Sequence, residues 1–322
     1  MLALLIRGVG SLEKQEMNLE EFIKHHSVIL LDGAMGTQLA ALGLDMSAQN
    51  NISHPEDVLS IHKKYSQSGC DILITNTLTM NRIYVETHNV GVDVMEVNLA
   101  GAHLARSAVN NHQYVLGDLS STGQMLEPYG EYTETQFYDA FREQAEYLLE
   151  GGVDGFIVET MLDLREALCA VRACRDVASI PVIASLSFQT TNSGGRTVMG
   201  NSAQEVATAL ADAGVNAVGS NCGDLDPLET ATVISLMKKS VDLPILAQPN
   251  AGKPKLVENR TVFDMTPEQF AHGTAECLHA GANLVGGCCG TSPEHIRCLA
   301  RLIEKMRINP TKAFSRLPEG RG

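Results

Sequence analysis

The sequence predicts an α/β protein of the (β/α)8 TIM-barrel type. Three observations carry that expectation. Eight short apolar runs, residues 28–31, 71–75, 114–117, 155–158, 181–187, 217–220, 244–247 and 283–286, are spread along the chain. Stretches of helical spacing lie between them, among them 136–149, 164–175, 203–213 and 267–280. Continuous apolar strands separated by helices are the pattern of a parallel sheet covered on both faces. Finally, Asp32, Asn76, Asp118, Glu159, Cys222, Asn250 and Cys288 stand at or just past the ends of runs, where barrel enzymes place their chemistry. A doubly wound open sheet is the alternative; the count of eight and this distribution favour the barrel.

The elements repeat a local grammar. Ser68-Gly69-Cys70-Asp71, Gly151-Gly152-Val153-Asp154, Ala213-Gly214-Val215-Asn216 and Ala280-Gly281-Ala282-Asn283 each lead into an apolar run. The glycine suits a left-handed helix end, and the Asp or Asn suits the turn that follows. Ser53-x-x-Glu56, Thr133-x-x-Gln136, Ser202-x-x-Glu205 and Thr266-x-x-Gln269 fit capping boxes, and Pro267 and Pro293 fit first helical positions. The longer connections 119–132, 189–201 and 250–265 follow the third, fifth and seventh strands and would overhang one mouth. Residues 27–306 are read as one barrel, 1–26 as an N-terminal extension and 307–322 as a C-terminal tail.

Composition narrows the function. The net charge of −14 argues against a nucleic-acid or anionic-membrane surface, since both require a basic footprint. Eight cysteines in 322 residues are too dilute for a disulfide scaffold. The apolar start 1–6 is short and lacks a preceding basic region, unlike a signal peptide. No run approaches the roughly 20 apolar residues that cross a bilayer. A cytoplasmic location is the default.

Three of the thiols sit at strand ends. Cys222 lies in Ser220-Asn221-Cys222-Gly223, and Cys288 and Cys289 lie in Gly286-Gly287-Cys288-Cys289-Gly290. Three cysteinates would leave one position open on zinc, the arrangement of a catalytic site. Adjacent strand residues point to opposite faces, so both vicinal thiols reach one ion only if the strand breaks there, as the flanking glycines permit. Buried small residues beside tight turns, a three-thiolate iron–sulfur site and a vicinal disulfide are the competing readings. The other five cysteines read as structural, with Cys169, Cys174, Cys277 and Cys298 in helices. By spacing alone, Asp32 reads as a helix cap and Glu159 as a first-turn partner of a helix dipole. Asn221, Asn76, Asp118 and Asn250 suit orienting ligands or satisfying turns. His25, His26, His272 and His295 read as surface residues, and the charged run 253–260 as a solvated loop.

The motifs Leu30-Leu31-Asp32-Gly33-Ala34-Met35-Gly36-Thr37, Val158-Glu159-Thr160, Ser220-Asn221-Cys222 and Gly286-Gly287-Cys288-Cys289-Gly290-Thr291 are specific in combination. With them the chain resembles the homocysteine S-methyltransferase family over about residues 27–303. Val115-Leu116-Gly117-Asp118, 194–200 and Gln248-Pro249-Asn250-Ala251-Gly252 look like the branch formed by the homocysteine-binding module of cobalamin-dependent methionine synthases. The resemblance implies zinc on Cys222, Cys288 and Cys289, with the homocysteine sulfur in the open position. It implies that Asp32 and Glu159 meet the acceptor's amino group. Gly33, Ala34, Met35, Gly36 and Thr37 read as a turn into a helix whose exposed N–H groups suit the carboxylate, and Asn221 is grouped with these substrate-binding residues. The product would be methionine. No cobalamin-binding Asp-x-His-x-x-Gly motif is present, so the expected donor is methylcobalamin or another methylcorrinoid on a separate protein or module. S-methylmethionine ranks second and betaine third. A non-catalytic zinc-binding docking barrel is a rival, and an aldolase-like lyase lacks a lysine at a strand end.

Overall fold

The architecture is that of a computed structural model describing residues 17–257 and 260–308. Ten strands are present among them: β1 (Ile29–Leu30), β2 (Ile72–Ile74), β3 (Tyr114–Leu119), β4 (Gly155–Met161), β5 (Val182–Leu186), β6 (Ala217–Asn221), β7 (Ile245–Gln248), β8 (Lys255–Val257), β9 (Arg260–Val262) and β10 (Leu284–Val285). Eight form one parallel sheet in the order β1-β10-β7-β6-β5-β4-β3-β2. A parallel bridge from Leu31 to Ile72 brings β1 against β2 and closes the ring, as a TIM-type barrel requires and an open sheet does not. No helix among the described residues is long and apolar enough to cross a membrane.

Side-chain alternation divides the core into two layers. Ile29, Leu31, Ile72, Leu116, Ile157, Ile183, Ala217, Leu246 and Leu284 fill the barrel interior. Their neighbours, such as Leu30, Leu73, Val115, Phe156, Val158, Ala184, Val218 and Val285, face outward and pack under the helices. The interior cluster also takes in Leu19, Phe22 and Ile23 from the helix Leu19–His25. Tyr114 Oη donates to Met17 O (2.8 Å), and Leu19 lies against Gly155, so this helix covers the end where β3 and β4 begin. Functional loops are thereby confined to the opposite mouth.

The repeated strand-entry grammar has a structural purpose. Gly69, Gly152, Gly214 and Gly281 all adopt positive φ at helix ends. The Asp or Asn that follows accepts a hydrogen bond from the backbone N–H of a strand in the sheet. Asp71 receives Leu30 N, Asp154 receives Val115 N, Asn216 receives Val182 N and Asn283 receives Ile245 N, at 2.7–3.2 Å. Each polar side chain thus satisfies a strand-start donor with no ladder partner.

Three of the four expected capping boxes form, at Thr133, Ser202 and Thr266. The Ser53 box does not: Ser53 ends the short helix Asn50–Ser53, and the helix Pro55–Ser66 starts from His54 without a side-chain cap. Asp226 and Glu229 make a further box ahead of Pro227–Lys238. The run 253–260 is not a plain loop, because it contributes to the antiparallel hairpin β8–β9. His295 is buried rather than superficial; its ring bonds to Ser292 Oγ (2.8 Å) and Met265 O (3.0 Å) and packs edge-on to Phe270. His26 stacks on Phe22. The apolar start 1–6 and the tail 309–322 lie outside the described residues.

Candidate active site

The three strand-end cysteines converge at the barrel mouth. Cys222 follows β6 with φ +55°, and its N–H donates to Gln248 O (3.2 Å). Beyond β10 the chain leaves the ladder: Cys288 N–H reaches Pro249 O (2.9 Å), and Cys289 O accepts from Ala251 N (2.9 Å). This departure from strand geometry lets neighbouring side chains turn to one side. Gly290 completes the turn at φ +80°, where a Cβ would fall 2.3 Å from that of Phe263. The three Sγ atoms lie within 4.8 Å of one another, with Cys222 and Cys289 at 3.8 Å. Among the described residues no fourth His, Cys, Asp or Glu joins the group.

The thiols share negative charge unequally. Hydrogen bonds with Cys222 and Cys288 bring the Cys289 thiol down to about 4. Hydrogen bonds to its two partners, with burial, push Cys288 well up. Cys288 pulls Cys222 down, but the bond to Cys289, burial and the charge of Cys289 outweigh this and raise it to about 12. The donor set fits a thiophilic ion: tetrahedral zinc with sulfur at about 2.3 Å places its sulfurs roughly 3.8 Å apart.

Glu159 is brought to the cluster by an irregularity in β4. Val158 pairs with Ala184 and Met161 with Leu186, so β4 carries one extra residue opposite Ser185. Thr160 takes φ +56° in this bulge. Asn221, at the end of β6, holds it. Its Oδ1 accepts from Thr160 N (2.8 Å) and Ser185 Oγ (2.7 Å); its Nδ2 donates to Thr160 Oγ1 (2.7 Å) and lies 3.4 Å from Glu159 Oε2 and 4.0 Å from Cys288 Sγ. Burial, together with the Cys222 charge, raises Glu159 to about 8.

Asp32 and the segment after it form the adjoining wall. Asp32 is buried, and its Oδ2 accepts from Ile74 N (3.0 Å), so it ties β1 to β2 instead of capping the helix Gly36–Ala41, whose cap position is Met35. Burial pushes its carboxyl well up, against the pull of the Ile74 hydrogen bond, and Glu159 adds to the rise. Thr291 joins this wall to the cysteine loop. Its Oγ1 accepts from Ala34 N (3.0 Å) and donates to Cys288 O (2.7 Å); Gly290 N donates to Thr37 Oγ1 (3.2 Å). Tyr65 Oη, fully buried, reaches Ala34 O (2.8 Å) and Thr291 O (3.3 Å). A Cβ on Gly33 would sit 2.6 Å from Thr291 Oγ1, so the approach requires glycine.

The structure therefore brings together Cys222, Cys288, Cys289, Asn221 and Glu159, with Asp32 and the Gly33–Thr37 segment alongside. Ala34 N is already engaged. Asn76 instead pairs with Asn51 (3.0 Å), and Asn250 Nδ2 serves Gly223 O (2.9 Å). Tyr65 and Ser185 escaped sequence reasoning. The signal for Ser185 is its polarity within an apolar run; Tyr65 lies in the helix Pro55–Ser66, 226 residues from Thr291, with no local sign.

Comparison with known proteins gives concordant results. Residues 29–303 match a family model described as homocysteine S-methyltransferase. The chain is 30% identical over 301 residues to methionine synthase of Mycobacterium tuberculosis (strain ATCC 25618 / H37Rv), covering 87% of this chain and 25% of that protein. It is 30% identical over 299 residues to methionine synthase of Mycobacterium leprae (strain TN), covering 86% and 24%. The chain thus spans about a quarter of the length of these curated relatives. Among solved structures it resembles the metallated homocysteine methyltransferase MmuM from Escherichia coli, with TM-score 0.70 and 23% identity over 87% of this chain and 98% of that one. The carboxyl transferase domain of Rhizobium etli pyruvate carboxylase aligns with TM-score 0.52 and 15% identity over 94% and 51%. Both structural likenesses speak to the fold alone.

Proposed function

This chain belongs to the homocysteine S-methyltransferase family, and we propose that it transfers a methyl group to the thiol of homocysteine, giving methionine, with zinc held by Cys222, Cys288 and Cys289. The observation that carries this reading is the convergence of three sulfurs within 4.8 Å at a barrel mouth, with Glu159 beside them.

A thiol is a poor methyl acceptor until it loses its proton. Zinc, when bound, supplies a position where the acceptor sulfur is held as thiolate at neutral pH. The protein's own residues do the rest. Glu159 and Asp32 receive the ammonium end of the amino acid, and the free N–H groups of the Gly33–Thr37 segment face its carboxylate. Asn221 fixes the bulge that aims Glu159, and Thr291 holds the substrate wall against the cysteine loop. The interior is apolar below this layer.

The donor in this proposal is methylcobalamin or another methylcorrinoid, delivered by a separate protein or module. Two observations support it. The curated relatives are methionine synthases with most of their length outside the matching region. In addition, the connections after β1, β2, β3, β4, β5 and β7 expose Met46, Leu78, Tyr129, Leu162, Met199 and Leu256, an apolar rim around the entrance suited to a docking carrier. Betaine is less well served: Tyr132 packs against Phe137, and no aromatic pair among the described residues includes Tyr129. Reduced thiols suit a cytoplasmic setting.

The test is a methyl-transfer assay with homocysteine and each of methylcobalamin, methyltetrahydrofolate, S-methylmethionine and betaine, with zinc quantified alongside. Methionine formed from methylcobalamin by protein carrying about one zinc per chain is expected. Full activity in zinc-free Cys288→Ala protein would refute the metal site; turnover with S-methylmethionine alone would replace the donor.

A further inference from the structure

The peptide between Glu159 and Thr160 lies in the β4 bulge, and side chains from two other strand ends hold both of its polar groups. β4 pairs with β3 as far as Val158 and resumes pairing with β5 at Met161. Between these points Thr160 N–H donates to Asn221 Oδ1 (2.8 Å), from the β6 side. Glu159 O accepts from Ser120 Oγ (2.8 Å), from the β3 side. Backbone groups withdrawn from water require partners, and side chains take the place of the ladder here.

Ser120 is itself held from behind. It follows β3 directly, is 2% exposed, and its O accepts from Asn81 Nδ2 (3.2 Å). Glu166 fixes the next two residues: Ser121 Oγ donates to its Oε2 (2.9 Å), and Thr122 N and Oγ1 donate to its Oε1 (2.7 and 2.8 Å). Glu166 is 3% exposed, and none of the ion pairs among the described residues includes it. Burial raises its carboxyl above the ordinary range, against the pull of the Thr122 and Ser121 hydrogen bonds. It stands three residues after Asp163, the cap of the helix Leu164–Val177, which is the spacing of a capping box. In a box it would turn back to the Asp163 N–H. Here it crosses to the connection after β3 instead, and a buried carboxylate without a cation depends on such donors.

These contacts close a ring. β4 runs through Asp163 into the helix that carries Glu166, Glu166 holds the turn after β3, and Ser120 in that turn holds Glu159. A peptide tied only through its N–H can still swing about that bond; tied through its carbonyl as well, it fixes the backbone from which the Glu159 side chain leaves. Resting on the homocysteine reading above, we infer that Ser120 and Glu166 are positioning residues: they pin the Glu159–Thr160 peptide from the β3 side, so that the connection after β3 sets where the Glu159 carboxylate stands beside the sulfurs. Among the described residues neither side chain bonds to a cysteine or to Asp32, so the effect runs through Glu159.

The experiment measures homocysteine affinity by calorimetry in the full zinc-loaded chain, with zinc content and Tm alongside. Ser120→Ala, Glu166→Ala and Glu166→Gln are each made in wild type and in Glu159→Gln. In wild type, Ser120→Ala and Glu166→Ala should each weaken homocysteine binding about tenfold, with zinc retained. Glu166→Gln, which keeps an acceptor for Thr122, should recover part of the loss and serves if Glu166→Ala folds poorly. In the Glu159→Gln background the same changes should weaken binding no further, although any fall in Tm persists, because residues acting through one group are not additive. Losses that add in full to that of Glu159→Gln, zinc lost in step with affinity, or unchanged affinity in Ser120→Ala and both Glu166 variants would overturn the inference alone. Wild-type protein that binds no homocysteine would overturn the functional reading and this inference with it.

Discussion

Asn221 links the chemistry of two strands through a single amide. Its oxygen takes two donors and its nitrogen faces Thr160, Glu159 and the Cys288 sulfur, so the side chain is saturated by the protein. Its proposed role is to position Glu159 beside the thiols. Asn221→Ala would leave Thr160 N without its partner and free the bulge that aims Glu159. A loss of roughly 10–100-fold in kcat/KM is expected, in the range of outer partners of metal sites, with zinc still bound. Asn221→Asp, which keeps the acceptor for Thr160 N and Ser185, should recover part of it. Steady-state kinetics with metal analysis checks this; zinc lost in step with activity would make Asn221 a purely structural support of the thiols. Glu159→Gln, by the same logic, should raise the homocysteine KM far more than it lowers zinc content.

Among the elements, two helices have roles that the active site conceals. The helix Leu19–His25 covers the end of the barrel away from the mouth, and Phe22 is 1% exposed within the interior cluster. Phe22→Ala should cost about 3–5 kcal/mol in urea unfolding, as for other large-to-small core changes. The helix Pro55–Ser66 carries His62, fully buried with neither ring nitrogen hydrogen-bonded among the described residues. Burial lowers its pKa from 6.5 to about 4. The folded state then binds fewer protons than the unfolded state between those values, so acid favours unfolding. The His62 contribution is complete above pH 6.5 and is lost as pH falls toward 4, by about 3 kcal/mol in all. His62→Leu should therefore gain on wild type progressively across that window, as read from denaturant unfolding at several pH values. A constant difference between the two proteins would show that His62 does not titrate there.

For the whole molecule, the proposed docking of a donor carrier can be tested apart from the chemistry of the site. Leu256 is 76% exposed on β8, in the connection that follows β7. Leu256→Asp should slow methyl transfer from a protein-borne corrinoid several-fold and leave transfer from free methylcobalamin unchanged; equal slowing of both would place the effect in the site itself. Much of this organisation was legible in one dimension. Eight apolar runs, the recurring Gly and Asp or Asn before strands, and three capping boxes are local features, and local physics is enough to write them. So were the strand-end thiols and carboxylates, because a parallel barrel sends every strand end to the same mouth. Misreadings arose where distant chain decided the outcome. His295 is buried by Phe270 and Met265, and the run 253–260 pairs into a hairpin.

By itself the sequence determined the barrel, the family motifs and which residue types would gather at its mouth, since these depend on periodicity and on short-range turn chemistry. Only the tertiary structure decided how they meet: the break after β10 that turns Cys288 and Cys289 to one side, the bulge that Asn221 holds in β4, and the burial of Asp118 within reach of the charges of Glu159 and Asp32. Those outcomes depend on which strands are neighbours around the ring. That order is set when the last strand closes against the first, and no stretch of chain encodes it alone.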